Sequence, residues 1–162
     1  MTMFRRSLRC LQVLASCAVV VGVAGCAKSP PPPPPPTVIK LTIAASADVN
    51  PDARGRASPI VLRIYELKSA AVFNQADFFS LWDREKETLG PDLVARDEVQ
   101  LRPGESKTID RTVDADARQV AAVAAFRDLE RTGWRTAVEL RPHQINVLSA
   151  NVGARGVAIS PR

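Results

Sequence analysis

Three cysteines, one histidine and scattered carboxylates are the groups in this chain that could do covalent or acid–base work. Cys10 and Cys17 lie in an apolar run, and Cys26 follows Val23-Ala24-Gly25. Small side chains beside a peptide bond suit cleavage by a signal peptidase. A cysteine left at the new N-terminus offers a thiol that can carry an acyl group, so Cys26 is the candidate lipidation site. His143 follows Pro142 in a predicted turn. One loop histidine with no second His or Cys makes neither a zinc site nor a nucleophile–base pair. Asp97 and Glu98 are adjacent in a predicted strand, where neighbours point to opposite faces and cannot share a substrate. Gly153 and Gly156 lack the spacing and context of a phosphate loop. The expectation is a protein without catalytic residues, bound metal or cofactor, apart from covalent lipid on Cys26.

The segment before Cys26 has the layout of an address label. Arg5, Arg6 and Arg9 make a positive start, and Leu11 to Val23 is apolar except for Gln12, Ser16 and Cys17. That run is shorter than the roughly 20 residues a membrane-spanning helix needs. Val23-Ala24-Gly25-Cys26 resembles the bacterial lipobox: an aliphatic residue, two small residues and Cys. On this reading residues 1–25 are removed and Cys26 becomes the first residue. Each buried acyl methylene contributes about 0.8 kcal/mol, so several chains anchor firmly. Ala27, rather than Asp, after the cysteine resembles lipoproteins sorted to an outer membrane. The alternatives are a plain secretory signal with a chance cysteine, and an uncleaved anchor.

Without Arg5, Arg6 and Arg9 the formal charge falls from +5 to +2. That is too weak for a nucleic-acid footprint, and charges of alternating sign mark a solvated surface. With Cys10 and Cys17 discarded and Cys26 acylated, the mature chain has no disulfide, and its core alone must stabilise it.

Residues 26–37 form a spacer. Pro30 to Pro36 is unbroken proline, which adopts the polyproline II helix at about 3.1 Å per residue, a stiff strut of roughly 20 Å. It would hold a domain off a surface. The competing reading is a proline-rich ligand.

Residues 38–162 read as one domain of short alternating runs, an all-β pattern. Ile39, Leu41 and Ile43 share a face of the first strand. A turn-rich loop follows from Asp48 to Ser58, longer than a tight hairpin needs, and loops of that kind often carry binding. Ile60, Leu62 and Ile64 face one way in the next strand, with Val61, Arg63 and Tyr65 opposite. Then the period changes. Phe78, Leu81 and Trp82 fall on one helical stripe, with Asn74 as expected N-cap and Gly90-Pro91 as the stop. Val94 to Leu101 is a strand with Asp97 out of place among apolar neighbours. Arg102-Pro103-Gly104-Glu105 suits a type II turn. Gln119 to Arg127 is apolar on both faces and reads as a central strand whose alanines admit something large. Arg127, Asp128, Glu130, Arg131 and Arg135 cluster around the next connection. Further strands start at Trp134, Ile145 and Gly156. Seven to eight strands with a short helical insertion suit a two-sheet sandwich.

Taken together, these segments resemble the TssJ-type (VasD/SciN) outer-membrane lipoproteins of type VI secretion systems. The likeness rests on the lipobox, the loop from Asn50-Pro51 to Pro59, the strand Pro59 to Lys68 and the segment Phe73 to Leu81. It also rests on the Leu101-Arg102-Pro103-Gly104 turn and on Val123 to Asp128 followed by Trp134-Arg135. Their order and spacing carry it more than any single piece. The resemblance implies a transthyretin-like sandwich and a non-enzymatic role. It implies an outer-membrane anchor, held by acyl chains with its domain in the periplasm, that binds the periplasmic C-terminal region of a TssM-type inner-membrane protein, with a TssL-type protein in the same complex. In the family the loop between the first two strands takes part in that contact. By position this points to Asn50, Pro51, Asp52, Arg54, Gly55 and Arg56. The rival readings are a transthyretin-like periplasmic lipoprotein acting as chaperone, inhibitor or other binding module, and a small hydrolase.

Overall fold

In the computed structural model residues 31–162 are described. The leader, the lipobox, Cys26 and Pro30 lie outside the described residues. One compact unit runs from Pro34 to Arg162, and residues 31–36 are exposed and belong to no strand.

Eight strands form two four-stranded sheets. The first has the order β4-β1-β7-β8, the second β3-β2-β5-β6. The strands are β1 (Val38–Ala45), β2 (Ile60–Leu67), β3 (Leu93–Leu101), β4 (Ser106–Thr112), β5 (Gln119–Ala124), β6 (Arg135–Glu139), β7 (Ile145–Val152) and β8 (Val157–Pro161). All pairings are antiparallel except β1 with β7. A parallel neighbour cannot be reached by a tight turn. Here the chain passes through β4 and the whole second sheet before β7 comes to lie parallel beside β1.

Alternation explains the core between the sheets. Ile39, Leu41 and Ile43 of β1 meet Ile60, Leu62 and Ile64 of β2, with Val120, Ala122 and Ala124 of β5 and Leu148, Ala150 and Val152 of β7. Burying a Leu or Ile side chain contributes about 1.5–3 kcal/mol. The predicted polar intruder in β3 has a partner. Arg111 of β4 lies opposite Ile39 and so points between the sheets. Its guanidinium pairs with Asp97 of β3 and, at 2.6 Å, with Glu66 of β2. This triad closes one open edge of the sandwich. Glu98, one residue on, faces the other way and pairs with Arg63 at 3.0 Å.

The second core lies on the outer face of the β2–β5 pair. It is covered by α1 (Ala71–Gln75), α2 (Phe78–Asp83) and α3 (Glu85–Leu89), followed by the 3-10 turn Gly90–Asp92. Phe73, Phe78, Leu81 and Leu89 pack on Tyr65, Leu67, Ala121 and Val123. The small side chains of β5 leave room for the phenylalanines. Asn74 is not the cap. It lies inside α1, where its amide bonds the Ala70 carbonyl at 2.9 Å. Asp77 caps α2 instead, accepting from the Ser80 amide at 2.9 Å and the Ser80 hydroxyl at 2.6 Å. Phe73 must reach the Tyr65 ring, 6.0 Å away between centroids, and that packing draws the first helical turn earlier than the stripe suggests. Glu105 N bonds Arg102 O at 2.9 Å with Gly104 at φ 76°, as a type II turn requires.

The register fixes two poles. Thr37 leads into β1 at one end, beside the β6–β7 turn. The His143 amide donates to Thr37 Oγ1 at 2.9 Å, and His143 Nδ1 donates to the Pro35 carbonyl at 3.0 Å. The β1–β2 loop lies at the far end of β1. There it meets the β3–β4 turn, where Gly104 N bonds Ser46 O at 3.1 Å, and the turns after β5 and β7. Among the described residues no helix is long and apolar enough to cross a membrane.

Candidate partner-binding site

The β1–β2 loop has a fixed shape. Asn50 sits at φ 48° and is only 4% exposed. Its Nδ2 donates to the Pro59 carbonyl at 2.9 Å, and its Oδ1 accepts from the Arg127 amide at 2.9 Å. The side chain is thus committed within the fold and shapes the loop. Pro51 and Asp52 are half-buried, while Ala53, Arg54, Gly55 and Arg56 are exposed.

Asp52 organises the tip. Its Oδ1 accepts the amides of Arg54 and Arg56 at 2.9 and 3.0 Å, and its Oδ2 receives Arg56 Nε at 3.1 Å. The Gly55 amide returns to the Asp52 carbonyl at 2.8 Å, a closure that needs Gly55 at φ 78°. The Arg56 and Arg54 amides, in that order, hold the Asp52 carboxyl below the usual aspartate range.

Two more segments join the loop. Phe126, Asp128, Arg131 and Thr132 come from the β5–β6 connection, and Ala154 and Arg155 from the β7–β8 turn. Those two segments are stapled to each other: Gly133 N bonds Arg155 O at 3.0 Å and Val157 N bonds Gly133 O at 2.9 Å. With Asn50, Pro51, Asp52 and Gly55 they enclose a cleft of about 340 Å³. Phe126 is a buried residue of its wall, and Arg131 and Arg155 are exposed.

The cluster read from Arg127 to Arg135 splits. Arg135 Nη1 turns to the Phe73 carbonyl at 3.2 Å and stacks on Trp134 at 4.8 Å, so it holds the helical insertion. Arg127, Asp128 and Arg131 stay at the cleft pole. Arg155 carried only a weak signal, an arginine inside a Gly-x-x-Gly turn. Cys26 lies outside the described residues.

The sequence model of a protein family, described as "Type VI secretion lipoprotein, VasD, EvfM, TssJ", matches residues 37–155. The chain belongs to the type VI secretion lipoprotein family. A solved TssJ1 lipoprotein of the type VI secretion system of Pseudomonas aeruginosa is 43% identical to it. That match covers 79% of this lipoprotein and 98% of TssJ1, with a TM-score of 0.77. Serratia marcescens Lip, described as a membrane-bound component of the type VI secretion system, is 28% identical over 77% of this chain and 96% of its own, with a TM-score of 0.69. A chain in a structure described as "T6SS protein TssM C-terminal domain (869-1107) from EAEC" matches at 27% identity over 77% of this chain and 98% of that one, with a TM-score of 0.63. A comparison with curated proteins finds no match. The two-sheet architecture expected for this lipoprotein is thus shared with solved family members.

Proposed function

We propose that residues 1–25 are removed, that Cys26 is acylated, and that the lipoprotein anchors a type VI secretion membrane complex to the outer membrane. Its partner is the periplasmic C-terminal region of a TssM-type inner-membrane protein, with a TssL-type protein in the same complex. The protein tethers and catalyses nothing. One observation carries the reading. The internally braced tip Pro51–Arg56, exposed from Ala53 to Arg56, stands at the pole opposite Thr37, where the proline spacer joins the domain. One end is then free for a membrane and the other for a partner. The match in the EAEC structure supports the same reading. A chain of this fold is found in a structure described as a TssM C-terminal domain.

In this account Asp52, Gly55 and Asn50 set the shape of the loop, while Pro51, Arg54 and Arg56 present it. The test is co-purification from membranes of cells that make both proteins. Arg54→Glu with Arg56→Glu is expected to cut recovery of the TssM-type protein while thermal unfolding stays at the wild-type temperature. Undiminished recovery would remove the loop from the contact.

A further inference from the structure

The chain enters the domain through a clamp built largely by the β6–β7 turn. Thr37 is 8% exposed, and its carbonyl accepts the Val113 amide at 3.0 Å. Its hydroxyl accepts the His143 amide at 2.9 Å. The Val38 amide donates to the Gln144 carbonyl at 3.0 Å. The His143 ring adds the outermost bond, from Nδ1 to the Pro35 carbonyl at 3.0 Å. The grip therefore lies on both sides of the joint: Pro35 in the proline run, Thr37 and Val38 at the start of β1. A stiff rod held at one point can swivel there; held at several points it cannot.

The chemistry explains the choice of His143. Proline has no amide hydrogen, and a polyproline II helix leaves its carbonyls without internal partners. A run of prolines can therefore be fastened through its backbone only by a donor from elsewhere. A carbonyl only accepts, so the His143 ring carries a hydrogen on Nδ1. His143 also sits at φ 60°, a left-handed backbone that few side chains other than Asn, Asp and His adopt. The side chain is exposed, so this conformation brings nothing to the core. What it does is place the ring over the last prolines, and strain kept at an exposed turn points to a role outside folding.

We propose that His143 is a positioning residue for the tether. It locks the end of the proline run to the domain, so that the chain leaves towards Cys26 in one direction instead of through a swivel. Seven prolines extend about 20 Å, so a change of angle at the root would carry the acylated end a large part of that distance. The use of the clamp in tethering rests on the anchor reading above; the clamp itself does not.

The experiment uses the lipidated protein in detergent. The sequence holds one histidine, so nitrogen NMR reads a single ring. Its neutral form is expected to carry the hydrogen on Nδ1, where a free histidine side chain carries it mostly on Nε2. Distances between nitroxides on Ser29→Cys and Thr108→Cys, read by pulsed electron resonance, are expected to form a narrow distribution that broadens in His143→Gly. Glycine adopts the left-handed backbone freely and keeps the amide that bonds Thr37, so only the ring is lost and the unfolding temperature is expected to hold. In cells His143→Gly is expected to stay in the membrane fraction and to recover the TssM-type protein as the wild type does, while type VI secretion falls. A hydrogen on Nε2, or equal distributions in the wild type and His143→Gly, overturns the clamp. Wild-type secretion by a variant whose distribution has broadened overturns the positioning role. Secretion by Cys26→Ser removes the anchor reading and the positioning role with it, while the ring and distance results still decide the clamp.

Discussion

The Asn50 side chain holds the backbone amide of Arg127 at 2.9 Å, across 77 positions of sequence. The same amide group donates to Pro59 at the far side of its own loop. One buried side chain thus sets the mouth of the loop and joins it to the segment after β5. Asn50→Ala removes two part-buried hydrogen bonds, to the Pro59 carbonyl and from the Arg127 amide, each contributing about 0.5–1.5 kcal/mol. Denaturant titration is expected to show a loss in that range. Asn50→Asp keeps an acceptor for Arg127 but sets a carboxylate oxygen against the Pro59 carbonyl at a buried position, so its loss at neutral pH is expected to be at least as large. Unchanged stability of Asn50→Ala would remove both bonds from the account.

Arg111 is the second cross-chain device. Glu66 is 3% exposed, and the guanidinium lies 2.6 Å from it. Arg111→Ala strands a buried carboxylate and is expected to destabilise by about 3–5 kcal/mol. Replacing Arg111, Glu66 and Asp97 together by leucine or methionine is expected to restore most of that stability, because no charge is left behind. Chemical unfolding of the two variants decides it. A triple variant as unstable as the single one would refute the account.

Tyr65 gives a spectroscopic handle, since it is the one tyrosine in the sequence. Burial first, and the nearby Glu85 second, push its phenol up to about 12. The hydroxyl lies 3.2 Å from the Leu81 carbonyl and from Glu85. A phenol with a raised folded pKa stays neutral in the fold while the unfolded chain ionises near pH 10. Stability is therefore intact below about pH 10 and falls as pH rises towards 12. Absorbance titration of the phenolate should give a midpoint near 12, moving to about 10 in denaturant. Tyr65→Phe is expected to flatten the tyrosine part of the alkaline stability loss. A native midpoint near 10 would contradict the burial.

Cys26→Ser tests the anchor without touching the domain. The substituted protein is expected to leave the membrane fraction, to take up no radiolabelled palmitate and to fold as the wild type does. Type VI secretion is expected to stop. Normal secretion by that variant would remove the tether from the proposed function.

Much of the sandwich was legible because apolar residues alternate wherever one face of a strand meets the core. Ile39, Leu41 and Ile43 announce β1, and the alanines of β5 announce bulky neighbours. The limits of the helical insertion were hidden, since Asn74 and Asp77 are both good caps and only the packing of Phe73 on Tyr65 chooses between them. Asp97 looked misplaced because its counter-charge, Arg111, lies on a strand of the other sheet. The pole was legible in part. The Asp48–Ser58 loop and the Arg127 cluster stood out separately, yet no local pattern announces that Asn50 joins them. Nor could spacing show that Arg135 turns away to the Phe73 carbonyl.

The two-pole arrangement has a mechanical consequence. A pull entering at Thr37 and leaving through the β1–β2 loop runs along β1 itself. That strand is interior to its sheet, paired at seven positions with β4 and eight with β7. Ladder bonds lie across the strand, perpendicular to it in the antiparallel pairing. Such a pull shears them together, where peeling an edge strand would break them in turn. Only by sliding past both neighbours at once could β1 yield.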